Sequence, residues 1–260
     1  MSPFGVNRTG HRALPARHPV GGPVTLPRRA TAPEHATFFF DFGDPYAFLA
    51  ARRVPRLLES RGMTLSLAPV DGGRLGAREG SGAQGLTAGV RGYVLDDVAR
   101  IATRLGLPFR PPATFPFDAV RLLGLCLFVR ERSGQEAMAA VADALWHEIW
   151  ELGSDPADDE TLLRAAGDVA IPEATLRAAL GDAGLDERVA RETARARKRG
   201  VAAVPAVALE SRLLSGFEAV ASLDPDLARA AGLVAEAPRD AGGAGGTPPR
   251  DDMPDWTFTG

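Results

Sequence analysis

The stretch Thr37-Phe38-Phe39-Phe40-Asp41-Phe42-Gly43-Asp44-Pro45-Tyr46 constrains the fold more than any other part of the 260-residue chain. An aromatic run of strand type, Thr37 to Phe42, passes almost at once into helix-start chemistry, a carboxylate at the cap followed by proline at the first helical position. Tyr46, Ala50, Val54 and Leu57 then recur at helical spacing through Leu58. Pro55 is expected to kink this helix because it removes a backbone donor. Met63 to Val70 alternates Leu65, Leu67 and Pro69 with smaller or polar residues and reads as a second strand. Strand, helix and strand make one βαβ unit.

The middle of the chain is helical in pattern. A Gly-rich segment, Asp71 to Gly92, precedes Tyr93 to Leu105, Asp118 to Arg132 and Gln135 to Leu152, all with an apolar side. Shorter helices fit Asp158 to Ala166, Glu173 to Leu180 and Asp186 to Arg199. After Gly200 the strand pattern returns in Ala206 to Leu209 and in a second short run to Leu214, and a last helix fits Phe217 to Ala231. The expected fold class is α/β, a sheet contributed by residues 36–72 and 200–235 and interrupted by a large all-helical insertion, 73–199. Residues 1–35 are expected to be a disordered leader: the first 33 mix six prolines with Arg, Gly and Thr and show no hydrophobic period. From Glu236 to Gly260 there is no Leu, Ile or Val, so residues 236–260 are expected to be a flexible tail.

Composition narrows the function classes. The first 33 residues hold five Arg and no acid, so a net charge of -3 for the chain leaves -8 for the rest, which gives nucleic-acid binding little electrostatic support. Cys126 is the single cysteine; it excludes an internal disulfide and a zinc site with paired cysteines, and it suits a cytoplasmic location. The longest apolar stretch, Leu122 to Val129, is too short to cross a bilayer. Neither a nucleic-acid nor a membrane partner is expected, and a homodimer is open to the chain.

Three segments carry a resemblance. Phe38 to Ala50 (F-F-F-D-F-G-D-P-Y-A-F-L-A), Tyr93 to Asp118 with its Phe115-Pro116, and Gly200 to Leu209 (G-V-A-A-V-P-A-V-A-L) occur in the order found in the 2-hydroxychromene-2-carboxylate isomerases and kappa-class glutathione transferases, which have a DsbA-like thioredoxin fold. The chain resembles that family over about two hundred residues. The resemblance implies glutathione as cofactor, laid along Val204 beside a cis Pro205 in the manner of an added strand. It also implies an isomerase or transferase acting on a small aromatic carboxylate, and a polar segment near Gly216, Phe217 and Glu218 that holds the γ-glutamyl end.

The departures concern the reactive position. Where the family has serine, this chain has Asp44. It is a candidate general base for the thiol proton, and equally a plain helix cap worth roughly 1 kcal/mol. The lack of cysteines at Asp44 and Ala47 excludes a thiol-disulfide oxidoreductase. The Asn expected after Phe-Pro is replaced by Phe117-Asp118, and an expected arginine is Ala219. Candidate substrate contacts are Tyr46, Arg74, Arg91 and Asp118, the arginines being matched to a carboxylate by their fork of donors. A catalytically degenerate binding or scaffold protein is the alternative.

Other features read as structural. Gly80 to Gly85 spells G-x-G-x-x-G without the strand and acidic residue of a dinucleotide site, and reads better as a loop over the site carrying Arg74, Arg78 and Arg91. His147 reads as a packed or hydrogen-bonded core histidine, Cys126 as a small core hydrophobe, and Arg195, Arg197, Lys198 and Arg199 as a helix C-terminal cation cluster.

Overall fold

The computed structural model describes residues 34–76 and 87–234. The leader up to Pro33, the tail from Ala235, and the segment holding Arg78 and Gly80 to Gly85 lie outside the described residues.

Strand β1 is His35–Phe40, and its aromatic run is buried on both faces, as expected of a strand covered by helices on each side. Phe38 and Phe40 point into the larger core, where Phe40 meets Phe42 and Trp146. Phe39 points the other way, into a smaller cluster with Val70, Val201 and Ala206, and Arg199 lies 5.5 Å over its ring. Helix α1, Pro45–Ser60, follows β1 and continues through Pro55 to Ser60. Strand β2, Thr64–Pro69, pairs parallel with β1, which completes the βαβ unit.

The insertion contains α2 (Gly72–Leu75), α3 (Ala88–Leu105), α4 (Val120–Trp146), a π-helical turn (His147–Glu151), α5 (Asp159–Ala165), α6 (Glu173–Leu180) and α7 (Gly184–Lys198). The break expected between Arg132 and Gln135 is present: Gly134 has φ +87°, a conformation open to glycine, and the helix resumes beyond it. Trp150, on the π-helical turn, donates its indole N–H to the Phe42 carbonyl at 2.9 Å. It also stacks with Phe109 and meets Phe115 and Phe117 edge-on or tilted. This aromatic knot fixes the Phe115–Phe117 loop, including its cis Phe115–Pro116 peptide, against the end of β1.

The chain then returns to the sheet as the antiparallel hairpin β3 (Ala206–Ala208) and β4 (Leu213–Ser215), giving the order β2-β1-β3-β4. This mixed sheet with a helical insertion is the architecture expected from the sequence. The helix expected over Phe217 to Ala231 is two helices, α8 (Phe217–Ala221) and α9 (Pro225–Ala230). Asp224 caps the amides of Asp226 and Leu227, and proline at the first position starts a new helix there. His147 is a half-exposed residue bonded to Glu151 at 2.8 Å and not a packed core group. Cys126 is fully buried in α4, where burial pushes its thiol pKa up. Among the described residues, no helix is long and apolar enough to cross a membrane.

Candidate active site

The residues that leave β1 shape the floor of a crevice. Asp41 ends the strand, and its carboxylate is clamped between two amides from different parts of the chain: Gly43 N–H donates to Oδ1 at 2.9 Å and Gly72 N–H to Oδ2 at 2.7 Å. Three residues on, Asp44 caps α1. Tyr46 N–H and Ala47 N–H both donate to its Oδ1, at 2.8 and 3.2 Å, and among the described residues no hydrogen bond engages Oδ2. One oxygen of Asp44 therefore starts the helix while the other is left free, so capping and chemistry do not exclude each other.

Val204, whose peptide with Pro205 is cis, lines the same crevice as Asp44. Ser215 holds this corner in place: its hydroxyl accepts from Ala203 N–H at 3.0 Å and lies 3.0 Å from the Ala203 carbonyl. Gly216 N–H donates to the Pro205 carbonyl at 2.9 Å, and Gly216 sits at φ +89°. Among the described residues, no backbone hydrogen bond uses the amide or carbonyl of Val204. Gly72 makes the close approach possible. A Cβ there would lie 2.9 Å from Val204 Cγ2 and 3.2 Å from Asp41 Oδ2, so a side chain has no place.

The cavity so formed has a volume of about 470 Å3, enough for a small ligand. Asp41, Asp44, Asp71, Arg74, Asp118 and Val204 are on its wall, with Phe117, Val120 and Leu123 as the apolar side. Its electrostatics are acidic. Burial raises Asp41 from the usual carboxylate range to about 7, against the opposing pull of the Gly43 and Gly72 amides, with Asp71 and Asp44 adding to the rise. Burial likewise raises Asp44 to about 6, against the Ala47 and Tyr46 amides. Arg74 does not neutralise this pair, because its guanidinium is bound to Asp71, Nε to Oδ2 at 2.8 Å, and to Asp186 of α7.

The expected site residues thus divide. Asp44, Arg74, Asp118 and Val204 share the crevice, and Asp118 accepts from Val120 N–H at 2.9 Å. Tyr46, Gly216, Phe217 and Glu218 line a second cavity of about 580 Å3. There the Tyr46 hydroxyl donates to Asp97 at 2.9 Å and its ring lies 4.8 Å from that of Phe217. Arg91, in the first turn of α3, lines neither cavity. Sequence reasoning misses Asp41 and Asp71 as site residues. The local signal for Asp41 is a charged residue inside an otherwise aromatic strand end.

Comparison with known proteins agrees with this architecture. The family described as DSBA-like thioredoxin domain matches residues 36–228. A 2-hydroxychromene-2-carboxylate isomerase from Sphingobium xenophagum is 27% identical over 183 residues, covering 69% of this chain and 90% of its own. A solved structure of 2-hydroxychromene-2-carboxylate isomerase superposes with a TM-score of 0.61 at 22% identity, over 75% of this chain and 95% of its own. A probable DsbA oxidoreductase from Streptomyces coelicolor superposes with a TM-score of 0.56 at 19% identity, over 78% of this chain and 92% of its own. At these identities the two structures establish the fold.

Proposed function

The chain belongs to the DSBA-like thioredoxin domain family, and from that premise we propose that it is a glutathione-dependent isomerase of the 2-hydroxychromene-2-carboxylate type, acting on a small aromatic carboxylate. The observation that carries this reading is the meeting of Asp44 and Val204, distant in sequence, on one cavity wall.

The residues present fit the cofactor. An amide and a carbonyl left without backbone partners beside a cis-proline suit an extended peptide, which adds to such an edge as a further strand. The second cavity, with Gly216, Phe217 and Glu218, would take the peptide's amino end. When bound, glutathione supplies a thiol able to add reversibly to an unsaturated substrate. Asp44 does the work that serine does in the resembling family, by a different route. A carboxylate beside sulfur keeps the sulfur protonated, so Asp44 would accept the thiol proton, on the Oδ2 that the helix cap leaves unused. With a pKa near 6 it is largely ionised at neutral pH and ready to serve as that base. Phe117, Val120 and Leu123 give an aromatic ring its apolar wall. Arg74 can receive the substrate carboxylate by giving up Asp186, since an exposed ion pair is cheap to exchange.

A second reading has one observation in its favour: Asp44 satisfies two first-turn amides without any ligand, as a degenerate binding protein needs. Titration calorimetry with glutathione and a turnover assay on 2-hydroxychromene-2-carboxylate separate the two. Binding at millimolar glutathione together with turnover is the expected result. Binding without turnover selects the degenerate protein, and the absence of both rejects the crevice as a glutathione site.

A further inference from the structure

We propose that Asp41 is the proton-bearing partner of Asp44, so that the crevice works with two carboxylates in opposite protonation states, one removing a proton from the substrate complex and the other returning one. The inference deepens the proposed function and rests on it.

The geometry is what separates Asp41 from a mere strut. It lies on the wall of the same cavity as Asp44, three residues away across the turn from β1 to α1. Its two oxygens are held by amides from two chain segments, which fixes the carboxyl plane without neutralising its charge. Among the described residues, the elements packed around it bring acid or no charge. Asp44 comes from the start of α1, Asp71 from the start of α2, and Asp118 from the start of α4, while Ala202, Ala203 and Val204 carry no charge. The one cation among the described residues of the wall, Arg74, faces Asp71 and Asp186. Burial in this cation-poor wall raises both carboxyls, Asp41 to about 7, with Asp71 and Asp44 adding to the rise, and Asp44 to about 6.

The chemistry balances without an added reactant. Isomerisation moves no atoms in or out. Asp44, ionised, takes the proton of the attacking thiol, whose electron pair forms the new bond to carbon. The electron pair displaced on the substrate is met by the proton of Asp41. After the reverse elimination the proton held by Asp44 is back on sulfur and Asp41 has regained its own from the substrate. Neither carboxylate is consumed, and the pair ends as it began.

The test is a pair of pH titrations on the full chain. Carboxyl-carbon NMR of the wild type is expected to show two aspartates titrating well above pH 5, and Asp41→Asn should abolish the higher one while the lower, raised by its own burial, stays above pH 5. In the turnover assay the wild type should give a bell-shaped profile; Asp41→Asn should lower the rate at least tenfold and remove the alkaline limb. A uniform loss at every pH with the bell intact would make Asp41 a structural strut and overturn the proposal. So would an Asp41 resonance titrating near pH 4. If Asp41→Asn does not fold, Asp44→Asn still decides: a carboxyl that titrates above pH 5 in that variant supports the proposal, and the lack of one overturns it. If the chain turns over no substrate, the function fails while the NMR titration still judges the shared proton.

Discussion

The dipeptide Asp-Pro starts two helices in this molecule, and the two aspartates have opposite electrostatic fates. Asp44 and Asp224 each cap two first-turn amides and each precede proline at the first helical position. At Asp224 burial pushes the pKa up, but the Arg53 guanidinium, Nε to Oδ2 at 2.6 Å, together with the Leu227 and Asp226 amides, holds the carboxyl below its usual value. At Asp44 burial meets only backbone amides, and the pKa rises. Glu148 repeats the first case, held low by Arg164 with Ser154 assisting. The fold supplies guanidinium groups to carboxylates that hold it together and gives none to Asp41 or Asp44. A buried carboxylate without a counter-charge marks a place where proton traffic is the point.

Removing Arg53 breaks the comparison most severely. Arg53→Ala leaves Asp224 buried and uncompensated, and an unfolding free energy lower by about 3–4 kcal/mol is expected from urea denaturation at neutral pH. The sign of its pH dependence should also invert. With Arg53 present, the stability due to Asp224 exists above the unfolded pKa of 3.8 and is lost as pH falls; without it, stability should fall as pH rises, as at Asp44. Asp44→Ser sharpens the comparison by keeping a good cap and deleting the charge. Because the folded pKa of Asp44 is raised, the native state binds the extra proton, and wild-type stability falls as pH climbs from about 4 to about 6. The serine variant should match the wild type near pH 4 and exceed it by about 2 kcal/mol at pH 8, allowing for partial exposure. The smallest effect belongs to Arg177, whose pairs with Glu160 and Glu173 are exposed; Arg177→Ala should leave the urea midpoint unchanged.

How much the sequence discloses depends on how far the causes lie apart along the chain. The passage from β1 to α1 is legible because aromatic run, cap and proline are adjacent, and Glu173–Leu180 matches its expected bounds residue for residue. The division of α8 from α9 is equally local, signalled by Asp224-Pro225, but the apolar period running through it masks the signal. The site is legible only in outline. The meeting of Asp44 with the Val204–Pro205 corner follows from motif order, whereas the role of Arg74 depends on Asp186, 112 residues away. Asp41 acquires its character from the Gly72 amide, 31 residues on, and from burial beneath a corner formed far later in the chain.

The bare hydrogen at Gly72 sets a limit on how this pocket can be altered. Floor, ledge and the turn after β2 meet at that one Cα with no room for a methyl group, so none of the three can be redesigned alone. Broadening the range of molecules accepted would have to proceed from the apolar lining, by trimming Phe117, Val120 or Leu123, leaving Asp41 and the Val204 ledge as an inflexible anvil against which every new ligand must fit.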